Sequence, residues 1–121
     1  MKTDIFPVIY LARHGETAWS LTGQHTGFTD LPLTERGEQH AKRLGARLTG
    51  LAYVKVLTSP FQRVRANLRT GGVQCIAEID RDLVEWNYGD NEGLRTVDIH
   101  AKRPDWNRFG TVALMENHRI R

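Results

Sequence analysis

The sequence predicts an α/β fold, a three-layer α/β/α domain with a mainly parallel sheet, and three observations carry that expectation. Short runs rich in β-branched residues alternate with segments whose apolar residues recur at helical spacing, and Gly, Pro or Ser marks the junctions. The first run, residues 5–12, is almost continuously apolar, as a strand covered on both faces requires. The 121 residues suit a single domain, 1–121, able to bury a modest core without metals or disulfides.

In chain order, Pro7 is tolerable near the start of the first strand, 5–12. Residues 19–32 hold Gly23, Gly27, Asp30 and Pro32, and read as a loop. Thr34 is the expected N-cap of the first helix, with Glu35 and Glu38 in its positive first turn, Ala41, Leu44 and Leu48 on one face, and Gly50 as the stop. Residues 53–58 read as a second strand. Ser59-Pro60 then supplies an N-cap and a first-turn proline for a helix with Phe61, Val64 and Leu68 inward, ending at Gly71-Gly72. Residues 73–79 are a third strand, 85–94 a loop, and 96–103 a short helix halted before Pro104. No internal repeat or low-complexity segment interrupts this order.

Composition narrows the function. With 40% hydrophobic and 26% charged residues the chain is neither disordered nor a membrane protein. The net charge of +3 comes from 17 basic and 14 acidic residues that alternate instead of clustering, so small-anion pockets are expected and a nucleic-acid surface is not. The single cysteine, Cys75, reads as a buried strand residue and excludes an internal disulfide framework. The N-terminal run resembles neither a cleavable leader nor a bilayer span, and a cytoplasmic location is expected.

Ligands of open parallel sheets bind beyond the carboxyl ends of the strands. Arg13-His14-Gly15 falls at the end of the first strand. A neutral imidazole attacks phosphorus when one ring nitrogen is held by a hydrogen bond and the other faces the phosphate, and Gly15 permits close backbone approach. Arg13 can bind a phosphate bidentately. Arg63, in the first turn of the helix after the second strand, is a second candidate, so two arginines can clamp one phosphate. A leaving alkoxide needs a proton. Glu85 is placed to give it, with Asp90 and Glu92 as rivals, and Trp86 and Tyr88 would supply an apolar setting that raises its pKa. Each residue alone also has a plainer reading: a hydrogen-bonded strand-end histidine, a solvated helix arginine, a loop carboxylate. His25, His40 and His100 read as surface residues, since their spacing matches no metal site.

Taken together, the segments 11–17 with Trp19, then Thr26-Gly27, Asp30, Pro32-Leu33-Thr34 and Gly37, resemble the opening pattern of the histidine phosphatase superfamily, which is phosphoglycerate mutase-like. Ser59-Pro60 with Gln62-Arg63 is similar to its second block, and Glu85, Gly89 and Glu92-Gly93 to its third; the resemblance runs from about residue 8 to 106. It implies that His14 becomes phosphohistidine, that Arg13 and Arg63 hold the phosphate, and that Glu85 donates the proton. It also implies that Ser20, Thr26, Gly27 and Tyr88 line the substrate pocket, with no metal and no cofactor. Ser20, Val64 and Asn67 depart from the usual Asn, Ala and Thr. The expected activity is hydrolysis of small phosphomonoesters, with a lean toward sugar phosphates; the alternatives are mutase-type phosphoryl transfer and a non-catalytic phosphate-binding module.

The family pattern continues with a Gly-Gly-Glu-Ser-like segment and a strand bearing a second active-site histidine. Here residues 107–121 are atypical, although 111–115 can form a short strand and His118 is the one late histidine. The resemblance therefore implies a C-terminally truncated domain of impaired activity, whose first strand lacks a neighbour and favours self-association through an exposed sheet edge. The codons of Met115 and Glu116, read one base earlier, contain a glycine codon, followed by Glu or Lys and then Ser or Pro. A frameshift is the expected origin of the tail.

Overall fold

The computed structural model describes residues 6–71, 73 and 76–108. In chain order they form helix α1 (Ala18–Thr22), helix α2 (Glu35–Leu48), strand β1 (Val56–Thr58), helix α3 (Gln62–Gly71), strand β2 (Ala77–Ile79) and helix α4 (Thr96–Lys102). Short 3-10 turns at Arg81–Leu83 and Gly89–Asn91 lie between β2 and α4. β1 and β2 pair in parallel, with Val56 opposite Ala77 and Thr58 opposite Ile79, and α3 is the crossover between them. Helices and a parallel sheet make the fold α/β, as expected.

Several elements differ from expectation: the second strand spans only Val56–Thr58 of the expected 53–58, and the helix after it begins at Gln62 instead of Pro60. Residues 6–12 carry no strand pairing, and their apolar side chains face outward, Leu11 at 94% exposure and Phe6 at 80%. Their composition suits a strand covered on both faces, but no described neighbour pairs with them. The segment 19–32 is not all loop, because α1 begins inside it. Thr17 is its N-cap, its hydroxyl accepting from Ser20 N at 3.1 Å while Ser20 Oγ accepts from Thr17 N at 2.9 Å, and Gly23 closes it at φ 79°. The third strand is shorter than 73–79: Val73 is outside it, and Cys75 lies outside the described residues, as do 111–115 and His118.

α2 forms where its caps predict. The Thr34 hydroxyl accepts from Gly37 N at 3.1 Å, Glu35 and Glu38 sit in the first turn, and Arg47 in the last. α2 packs on α3, and apart from Arg63 the described buried positions on the two helices are small: Gly37, Ala41 and Gly45 on α2, Ala66 and Asn67 on α3. Among the described residues the largest fully buried side chains are Arg63, Ile99 and Thr17, so polar groups occupy much of the interior and must be hydrogen-bonded there.

Candidate active site

Two backbone contacts set the loop after residue 12 against α2. A Cβ built on Gly15 would lie 2.5 Å from the Gly37 carbonyl oxygen, and one on Gly37 only 2.1 Å from that of Glu16, so the two chains touch without side chains between them. Thr34 locks the approach: its amide donates to Glu16 O at 2.9 Å and its hydroxyl to Glu16 Oε1 at 2.8 Å. From the other side, the buried Asn67 amide of α3 donates to the Arg13 carbonyl at 3.2 Å.

Arg13, His14, Arg63 and Glu85, expected from the sequence to meet, line one open cavity of about 360 Å³, together with Ser59 and Val84. His14 is half-buried and its Nδ1–H donates to the Gly15 carbonyl at 2.7 Å. A carbonyl only accepts, so this bond fixes the tautomer and leaves the Nε2 lone pair available. Burial lowers the His14 pKa from its ordinary value, as do the charges of Arg63 and Arg13, against the raising effects of the Gly15 hydrogen bond and Glu85. The ring is neutral at physiological pH. Such a group is chemically able to attack phosphorus.

Arg63 is 2% exposed. Its guanidinium donates to the carbonyls of Thr29 at 2.7 Å and Gly27 at 2.8 Å and lies 4.8 Å from the centre of the Phe61 ring, while Nε has no hydrogen-bond partner among the described residues. It is therefore a buried, held cation and not a solvated helix arginine. Arg13 is exposed at the cavity mouth. Glu85 is exposed too and accepts from Trp86 N at 2.8 Å. The apolar shelter expected from Trp86 and Tyr88 is absent, because Trp86 is 40% exposed and Tyr88 stacks on His25, ring centres 4.8 Å apart.

Ser20, Thr26, Gly27 and Tyr88 are not among the residues lining this cavity. Ser20 is engaged in the α1 cap, and Gly27 sits behind Arg63 as a backbone acceptor. Asp90, one rival to Glu85, is exposed on the 89–91 turn. Glu92, the other, accepts from Gly27 N at 2.7 Å and Thr29 N at 2.9 Å. Its own burial acts to raise its pKa, but these amide hydrogen bonds outweigh that and hold it below the ordinary carboxylate value. It remains an anion and is a poor proton donor.

The structure also corrects the reading of His25, which is buried and not on the surface. Arg108 donates to its Nδ1 at 2.7 Å, so Nε2 carries the proton and donates to Thr96 Oγ1 at 3.0 Å. Burial and the Arg108 charge lower its pKa, partly opposed by Glu92. Asp30 was read only as a loop breaker and part of the resemblance. Its carboxylate accepts from Gln62 N at 2.9 Å and so caps the start of α3. Among the described residues no group of three or more His, Cys, Asp or Glu is placed to hold a metal ion, and no helix is long and apolar enough to cross a membrane.

The chain is 40% identical over 100 residues to an acid phosphatase of Mycobacterium tuberculosis, covering 81% of this chain and 49% of that protein. It is 35% identical over 115 residues to a sedoheptulose 1,7-bisphosphatase of Saccharomyces cerevisiae, covering 79% and 41%. A solved structure of an open reading frame from Mycobacterium tuberculosis superposes with a TM-score of 0.69 at 40% identity, over 78% of this chain and 49% of that one. The chain spans about half the length of the curated relatives it matches. Residues 9–112, most of the sequence, match the pattern of one family, and on that ground the chain belongs to the histidine phosphatase superfamily, branch 1.

Proposed function

We propose that this chain is a phosphatase for small-molecule phosphomonoesters, acting through transient phosphorylation of His14. One observation supports this reading above the others: a half-buried neutral imidazole, its Nδ1–H tied to Gly15 O, lines the same cavity as two guanidinium groups and a carboxyl. In the reaction His14 Nε2 attacks phosphorus in line with the leaving oxygen. Arg13 and Arg63 neutralise the three equatorial oxygens, and Glu85 protonates the alkoxide. Water, giving a proton back to the Glu85 carboxylate, then attacks phosphorus and cleaves the phosphorus–nitrogen bond, returning neutral His14 and inorganic phosphate. An open cavity admits that water, which favours hydrolysis over mutase-type return of the phosphoryl group to a second hydroxyl.

Sugar phosphates or bisphosphates are the proposed substrate class, a lean that the yeast bisphosphatase relative supports. Ser20, Thr26, Gly27 and Tyr88 retain a proposed part in substrate selection by shaping the wall that carries Arg63. The outward apolar residues 6–11 are proposed to pair with a second copy.

The test is hydrolysis of p-nitrophenyl phosphate by the native chain and by His14→Ala, with alkaline trapping of phosphohistidine. Hydrolysis and trapped phosphoryl group in the native chain, both lost in the variant, are the expected result. Hydrolysis that survives the substitution refutes the mechanism. A native chain that binds inorganic phosphate without turnover is instead a non-catalytic binding module.

A further inference from the structure

We propose that Glu92 is a positioning residue for Arg63, acting through the backbone of residues 27–29. The two side chains grip the same short segment from opposite sides. One carboxylate oxygen of Glu92 accepts from the amides of Gly27 and Thr29, at 2.7 and 2.9 Å, and the Arg63 guanidinium donates to the carbonyls of those same two residues, at 2.8 and 2.7 Å. An anion on the amide side and a cation on the carbonyl side hold the segment between them, so where the two carbonyls stand depends on the grip of Glu92 as well as on Arg63. No other hydrogen bond holds the guanidinium among the described residues, and it lies over the Phe61 ring.

The segment has no slack to take up a movement of either partner. A Cβ on Gly27 would fall 1.9 Å from the Trp86 carbonyl oxygen and 3.2 Å from Glu92 Oε2. Arg63 is fully buried at the cavity wall, so its direction depends on where those two carbonyls stand. Loss of the Glu92 charge weakens its two charge-assisted hydrogen bonds to the amides of Gly27 and Thr29, lets the segment shift, and so moves the two acceptors that aim the guanidinium.

The inference rests on the proposed role of Arg63 at the phosphate, but its test has a readout that needs no phosphate. The His14 imidazole is titrated by NMR in the native chain, Glu92→Gln, Glu92→Asp and Arg63→Gln. Loss of a carboxylate charge alone lowers the His14 midpoint, whereas a guanidinium that swings away raises it. A raised midpoint in Glu92→Gln, in the direction of Arg63→Gln, is expected; an unchanged or lowered one overturns the proposal. If Glu92→Gln does not fold, Glu92→Asp decides: its carboxylate is one methylene too short to bring an oxygen to the two amides, and the same rise, of smaller size, is expected, no rise being fatal.

Orthophosphate affinity supplies the second arm. A loss of about tenfold in Glu92→Gln, equivalent to about 1.4 kcal/mol, is expected alongside a similar or larger loss in Arg63→Gln. If Arg63→Gln leaves the affinity intact, the phosphate-holding role of Arg63 fails while the His14 titration still judges Glu92. If Arg63→Gln weakens binding and Glu92→Gln does neither that nor raises the midpoint, only the positioning role fails.

Discussion

Replacing Gly37 by alanine tests whether the His14 loop is held by backbone contact with α2. In a helix interior Gly→Ala ordinarily gains about 1 kcal/mol, because alanine loses less backbone entropy. At Gly37 the new Cβ would stand 2.1 Å from Glu16 O and 2.9 Å from Glu16 N, both backbone atoms that no rotamer change can remove. The gap to the oxygen must open to at least 3.0 Å, a movement of about 0.9 Å two residues from His14. Overpacking of this kind costs about 1–3 kcal/mol. Set against the helical gain, the variant should be less stable by up to about 2 kcal/mol. Urea unfolding followed by circular dichroism measures this, with Gln39→Ala on the exposed face of α2 as a control expected to change stability by less than about 0.5 kcal/mol. Reacting groups tolerate about 0.5 Å of misplacement, so phosphorylation of His14 should fall by about 100-fold. A Gly37→Ala chain more stable than native, with His14 chemistry intact, would refute the reasoning.

The remaining predictions concern pH and association. His14 and His25 both have folded pKa values below 6.5, so the unfolded chain takes up protons first as the pH falls; their contribution to stability is complete above about pH 6.5 and is lost on acidification toward the lower folded values. Each histidine can add a slope of up to about 1.4 kcal/mol per pH unit, and His14→Ala should show a shallower fall between pH 6.5 and 5 than native in urea unfolding; equal slopes contradict the assignment. Leu11→Lys should shift the native chain from dimer toward monomer in sedimentation velocity, weakening association by about tenfold or more, since covering a leucine that is 94% exposed contributes about 1.5–3 kcal/mol. A native chain that is monomeric at high concentration removes the proposed pairing.

What could be read from the sequence is what depends on near neighbours. α2 and α4 fall close to their expected bounds because Thr34, the first-turn glutamates and Pro104 are local signals. The meeting of Arg13, His14, Arg63 and Glu85 was legible because each follows an expected strand or opens the next helix, and parallel topology brings such positions to one edge. α1 was not, because five residues are too few to show a helical period; only the Thr17 and Ser20 cap and Gly23 announce it. Partners far away in sequence left no trace: Asp30 caps α3 from 32 residues upstream, and His25 is buried by groups 71 and 83 residues ahead of it. Residues 6–12 pair with no described strand, so their apolar pattern states a capacity for burial and not its fulfilment.

The clasp between residues 24–29 and 92–94 has a kinetic consequence. Gln24 Nε2 donates to Gly93 O, His25 N to Leu94 O, Gly93 N to His25 O, and Glu92 accepts two amides more, all across rings of more than 60 residues. Closing one such ring costs about 4 kcal/mol of chain entropy, and once the first bond has met it the others add almost nothing. These bonds therefore zip and unzip as a single cooperative unit. Local turns and the α2–α3 pair can assemble ahead of it, so the wall that carries Arg63 is among the last parts of the molecule to acquire its final shape.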